Sequence, residues 1–192
     1  MEEYITMENL LYLNALMPYV YLILFYTSSK IQNSWGMLYG ICFVGMLIEI
    51  IFTLIISMLS HDKSKLAKVN LIVKLIQMPY YVLFFIVATG IFTILMALAG
   101  AGIFVLPILI AIDAAVFATT VIPAEICTIR LKMDKKISLT KMIFYLVANV
   151  LYIIDIITAF AIRNEYKKLS DALIQGVIQR DEYTDLGHQK VQ

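Results

Sequence analysis

Residues 71–128 read LIVKLIQMPYYVLFFIVATGIFTILMALAGAGIFVLPILIAIDAAVFATTVIPAEICT. The stretch is almost free of charge and too long for one helix. The run ALAGAG at 97–102 supplies the break, because glycine favours turn conformations and weakens helix interiors. Two apolar helices follow from this, about 70–96 and about 102–128, joined by a tight hairpin. Each exceeds the ~20 residues that cross a hydrocarbon layer ~30 Å thick at ~1.5 Å per residue.

Composition extends that reading to the whole chain. Of 192 residues 61% are hydrophobic and only 15% charged. The mean hydropathy is +0.86. A soluble domain of this length needs more polar surface to cover its core. The apolar runs are continuous rather than alternating, which excludes a barrel of short strands. The fold class expected is therefore an all-α integral membrane protein. Further spans fall at about 10–27, 37–59 and 140–162. The first contains Asn14 and Pro18. If it lies in the interface instead, the bundle has four spans rather than five.

Residues 1–162 then form the transmembrane bundle, and 163–192 a separate C-terminal segment. Within that segment Tyr166, Leu169, Leu173 and Val177 share one helical stripe, with charges opposite. This reads as an amphipathic helix on a membrane surface or a partner helix, or as an extension of the fifth span. The last residues, DEYTDLGHQKVQ, read as a polar, disordered tail. Lys63, Lys65 and Lys68 cluster between the second and third spans. Arg130, Lys132, Lys135 and Lys136 cluster between the fourth and fifth, with Lys141 just beyond. The positive-inside rule places both loops in the cytoplasm. With five spans the N-terminus faces the cytoplasm and the C-terminus faces out, although Arg163, Lys167 and Lys168 oppose that end of the assignment. The expected location is the cell's cytoplasmic membrane, crossed several times.

Three acids interrupt apolar helices: Glu49 in MLIEIIF, Asp113 in LIAIDAAVF and Asp155 in YIIDIIT. An ionised side chain at a membrane helix centre costs about 2.5–3.5 kcal/mol on insertion scales. Lys74, one turn into the third span, is the nearest cation, and its stem is long enough to snorkel to the interface. Two readings compete. The acids line one polar site for a proton, a cation or a cationic solute, with Lys74, Tyr81 and Asn149 in support. Alternatively they bind helices together, within this chain or to a partner. Their neighbours at helical spacing are Cys42, Gly45 and Thr53 for Glu49, and Phe117 and Thr120 for Asp113. Asp155 has Tyr152 and Thr158 beside it, and Gln77 joins Lys74 and Tyr81 on a polar face of the third span. All four prolines, Pro18, Pro79, Pro107 and Pro123, fall inside spans, where each favours a kink.

Other chemistry finds little footing. His61 and His188 stand alone, and no HExxH, GxSxG, phosphate loop or Cys-x-x-Cys occurs. No enzyme, cofactor or metal site is expected. Net charge is +1 without a basic stripe, which argues against nucleic acid. Cys42 and Cys127 fall at opposite ends of parallel spans, too far apart to pair. The N-terminus lacks a signal peptide's features and is expected to be retained. The partners expected are the lipid bilayer, a small cation or solute, and a membrane-protein partner or second copy of the chain.

A weak internal repeat is also visible. LMPYVYLILFY at 16–26 parallels QMPYYVLFFIV at 77–87, which would make two hairpins in the same orientation. Chance matching of apolar stretches competes with it. Finally, LIVKLIQMPYYVLFFI at 71–86, with its Lys74, Leu75, Ile76, Pro79 and Tyr80, stands ahead of Asp113 and YIIDIITAF. Over residues 62–165 the chain resembles an uncharacterised group of small polytopic membrane proteins of Gram-positive bacteria. That resemblance implies a bacterial cytoplasmic membrane and carries no activity.

The function expected is that of a small, transport-related membrane protein. The alternative is a non-catalytic accessory, immunity or regulatory subunit whose buried acids contact partner helices.

Overall fold

The computed structural model describes the backbone of residues 7–28, 35–98, 100, 102–151 and 154–189, and the side chains among them except those of 25, 26, 28, 35–39, 105 and 172–189. The described regular structure is entirely helical. A 3₁₀ turn, Met7–Tyr12, leads into α1 (Leu13–Ser28). Then come α2 (Trp35–Leu59), α3 (Lys63–Ala97), α4 (Gly102–Met133), α5 (Leu139–Asn149) and α6 (Ile154–Gln189). Among the described residues α3, α4 and Gly40–Leu59 of α2 are long and apolar enough to cross a membrane.

The glycine break lies where the sequence puts it. Gly100 takes φ +75°, a left-handed conformation that suits glycine. At Gly102 a Cβ would lie 2.7 Å from Met96 Cγ and 2.9 Å from the Phe92 carbonyl, so the chain returns on itself without room for a side chain. All four prolines lie inside helices.

Hydrogen bonds fix the directions of the helices. Asn14 meets Thr53 and Tyr21 meets Glu49, so α1 and α2 are antiparallel. The Glu8 carboxylate accepts from the Ser60 hydroxyl at 2.7 Å, which brings the start of the described chain to the α2–α3 turn. Cys127 Sγ donates to the Lys63 carbonyl at 3.7 Å, so the far end of α4 returns to the start of α3. The Tyr166 hydroxyl donates to the Cys127 carbonyl at 3.0 Å, which adds α6 to the same end. That end of the bundle gathers the basic segments around Lys63 and Arg130, and the α3–α4 hairpin forms the other. The two Met-Pro-Tyr runs also meet, with the Tyr19 ring edge-on to Tyr80 at 6.2 Å.

Several boundaries differ from the sequence reading. Helix α3 begins at Lys63 rather than near 70, because the Asp62 carboxylate accepts from the Lys65 N–H at 2.9 Å and caps it. The three lysines therefore lie on its first turns, not in a loop. The first span is a 3₁₀ turn plus a shorter α1. Where one helix is expected over 140–162 the structure has two. Val150 and Leu151 bond back three residues, to the Val147 and Ala148 carbonyls, and the i→i−4 ladder ends. Ser138 caps α5 through the Lys141 N–H at 3.2 Å.

After the break α6 runs back the way α5 came. Lys141 near the start of α5 pairs with Glu165. Asp155 stands level with Lys74, and Tyr166 stands level with Cys127 and hence with Lys63. From 63 to 74 and from 155 to 166 the chain covers equal lengths, about 16 Å each, so α5 and α6 form a half-length hairpin that returns to the basic end. The expectation that the C-terminal segment leaves at the opposite end is thereby corrected. The segment continues α6, the extension that the sequence also allows, and is helical through Gln189, where a disordered tail is expected. Tyr166 is buried, while the side chains of Leu173 and Val177 lie outside the described set.

The core sits toward the basic end, around Leu11, Ile56, Leu66, Ala124, Leu131 and Ile162. The hairpin end is bare by comparison. Phe85 is 71% exposed and Phe104 81%.

Candidate functional site

The polar residues sort into three places rather than one. The first joins α1, α2 and α3. The Tyr21 hydroxyl donates to Glu49 Oε2 at 2.9 Å, and Gly45 leaves the space: a Cβ there would touch that hydroxyl at 3.4 Å. One turn on, Asn14 Nδ2 donates to Thr53 Oγ1 at 2.7 Å, and Thr53 donates to the Glu49 carbonyl at 2.8 Å. Gln77 Nε2 reaches the Asn14 carbonyl at 2.6 Å, and the Tyr81 hydroxyl donates to Gln77 Oε1 at 3.1 Å. The stripe of Gly45, Glu49 and Thr53 thus faces inward, as its spacing predicts. Gln77 and Thr53 are wholly buried.

The second place lies at the apex of the α5–α6 hairpin. Lys74 Nζ bonds Asp155 Oδ2 at 2.8 Å, and the two residues are 2% and 3% exposed. Snorkelling is therefore not what Lys74 does. Asp155 occupies the first turn of α6, where the positive end of the helix dipole favours a carboxylate. Glu125, from α4, lies within electrostatic reach of Lys74 and faces Asn149, the last residue of α5. Asn149 is wholly buried. Neither of its amide atoms has a hydrogen-bond partner, nor does Glu125 Oε1. Thr158 is buried one turn along α6 and bonds its own helix at the Ile154 carbonyl. Tyr152 lies outside the described residues.

The third place is an open cleft between α3 and α4. Asp113 is half-buried on its wall, with Tyr81, Phe84, Phe85 and Ala88 opposite. A contiguous lobe of about 340 Å³ extends to Thr89, Phe92 and Leu106. On α4, Phe117 and Thr120 are buried, and the Phe117 ring packs edge-on against Tyr81 at 6.3 Å.

The acids take different neighbours, although Glu49 and Asp113 both lie within electrostatic reach of Tyr80. Glu49 belongs to a tyrosine on α1, Asp155 to a lysine on α3, and Asp113 to an aromatic cleft that Tyr81 shares. Two participants were not singled out from sequence. Tyr21 looked like one aromatic among many. Glu125 lies two residues after Pro123 near the expected end of a span, where an acid is ordinary.

Among the described residues the protein is thus all-helical, with three helices long and apolar enough to span a membrane. A family of unknown function, DUF6652, matches residues 4–168, and the chain belongs to that family. No curated protein and no solved structure matches it.

Proposed function

We propose that this chain is a multi-pass protein of a bacterial cytoplasmic membrane, and that it is transport-related, handling a proton, a small cation or a cationic solute at the apex of the α5–α6 hairpin. The supporting observation is the buried Lys74–Asp155 pair at a helix break. Backbone that leaves the helix at membrane depth is tolerated only where protein buries it or it lines a cavity. Interrupted helices with polar groups at their broken ends are a recurring construction of transporter sites. Eleven residues separate Lys63 from Lys74. That spacing sets the pair about 16 Å along α3 from the basic end, inside the apolar stretch expected to cross the membrane.

Orientation follows from the hairpin. With α6 returning to the basic end, Arg163, Lys167 and Lys168 join the lysines of α3 and the basic run after Arg130 on one side, the cytoplasmic one by the positive-inside rule. The bare apolar side chains of α3 and α4 then face lipid. Reconstitution into liposomes with a pH-sensitive dye and an imposed potential tests the reading. Wild type conducts, and the paired replacement of Lys74→Met with Asp155→Leu, which keeps the volume and removes the charges, does not. No flux from wild type sinks the transport reading.

A second reading has its own observation. Asp113 on the wall of an open apolar cleft suits contact with a basic group on a partner helix, as in an accessory, immunity or regulatory subunit. A co-purifying membrane protein that is lost with Asp113→Asn favours it.

A further inference from the structure

The apex of the α5–α6 hairpin is incomplete as it stands. Asn149 is wholly buried, yet its amide oxygen and nitrogen both lack partners. Glu125 stands within hydrogen-bonding range of it, yet the two form no well-aligned hydrogen bond, and Glu125 Oε1 is buried without one. Leaving a buried polar group unsatisfied costs about 1–3 kcal/mol, and a native structure rarely tolerates several together without a reason. The charges are unbalanced in the same place. With all three ionised, Lys74 contributes one positive charge, and Asp155 and Glu125 two negative ones. Lys74 spends its short hydrogen bond on Asp155, so the excess lies on the Glu125 side.

We propose that Glu125 and Asn149 form a binding site for one monovalent cation, either an alkali ion or a proton, beside the Lys74–Asp155 pair. A single positive charge balances the cluster, and a divalent ion would overcharge it. Among the described residues no three of His, Cys, Asp and Glu gather as a divalent metal requires. The donors fit the class. A carboxylate oxygen and an amide oxygen are hard ligands for an alkali ion. A protonated Glu125 would instead donate its hydrogen to Asn149 Oδ1 and satisfy both groups. Asn149 on α5 lies within hydrogen-bonding range of Glu125, and Lys74 on α3 within electrostatic reach of it. Asp155 on α6 acts on it through Lys74, and among the described residues no charged group of α2 bears on it. The site narrows the transport reading above and rests on it for its purpose, though not for its chemistry.

The test is thermal unfolding of the purified full chain in detergent micelles, in sodium chloride against choline chloride at equal ionic strength, across pH. Wild type should gain about 5 °C at saturation. A gain with sodium at fixed pH identifies an alkali ion. A gain as pH falls, indifferent to sodium, identifies a proton, since a site that holds its proton in the folded state loses that stabilisation as pH rises. Glu125→Gln should remove the dependence, and Asn149→Ala should raise the half-saturating concentration at least tenfold. No dependence in wild type overturns the proposal, as does an undiminished one in Glu125→Gln. Should that variant not fold, Asn149→Ala decides alone, and an unchanged midpoint overturns the site. Cation binding without flux removes the transport reading and leaves the site, whereas wild-type flux with no sodium or pH dependence of unfolding removes the site and leaves transport.

Discussion

Helix α3 carries two seams, each bringing it beside an acid that the sequence shows only as a charge in an apolar run. On one, Asp155 of α6 meets Lys74 and water is excluded. On the other, Asp113 of α4 stands half-buried on a cleft walled by Tyr81 and Phe84. The first seam closes because the α5–α6 hairpin ends beside α3 and delivers a carboxylate to a cation at the same depth. The second stays open beyond the apex of that hairpin, which ends at the level of Lys74 and does not reach Tyr81. An intrahelical acid is thus two different features, and what the neighbouring helix offers at that depth decides between them.

Substitutions that strain this contrast should differ in size. Lys74→Ala strands Asp155 in the interior and should cost about 3–5 kcal/mol, read as a fall in Tm. Lys74→Met combined with Asp155→Leu should recover most of that loss, because apolar replacement of a buried pair is often near neutral. A double variant as unstable as the single one would mean that the seam depends on charge itself. Tyr21→Phe removes the donor to Glu49 Oε2 and should cost about 1.5–3 kcal/mol by the same measurement. Gly100→Ala forces a side chain into φ +75° and should cost about 1–2 kcal/mol, which tests whether the open seam depends on its turn. Asp113→Asn should cost about 1 kcal/mol or less, because the side chain keeps its size and stands half-buried. A loss there as large as for Lys74→Ala would mean that the two seams are equally closed.

How much of this is legible in the sequence follows from which forces act locally. The α3–α4 turn is legible because glycine conformation is a local property. The inward face of Gly45, Glu49 and Thr53 is legible because helical spacing alone sets it. The break between α5 and α6 is not. Residues 149–155 read NVLYIID, with no glycine or proline, and their apolar character continues smoothly across the break. Its cause is tertiary: turning there sets Asp155 at the first turn of α6 and against Lys74. The destination of Lys74 was hidden for the same reason, since a snorkelling lysine and a buried one look alike until the partner helix is placed. Glu125 and Asn149 each pass as an ordinary polar residue near a span end. Only their meeting, with hydrogen bonds unmade, makes them notable.

The central claim is that α5 and α6 form a half-length hairpin, so that the C-terminal segment returns to the basic end. Single cysteines at Lys136, Lys168 and Leu98, in a chain with Cys42→Ala and Cys127→Ala, test it directly. All three positions are exposed. Vesicles of known sidedness are treated with a membrane-impermeant maleimide. The account predicts that positions 136 and 168 label from one side and position 98 from the other. Labelling of 168 together with 98 would mean that the chain crosses fully after α5, and would contradict it.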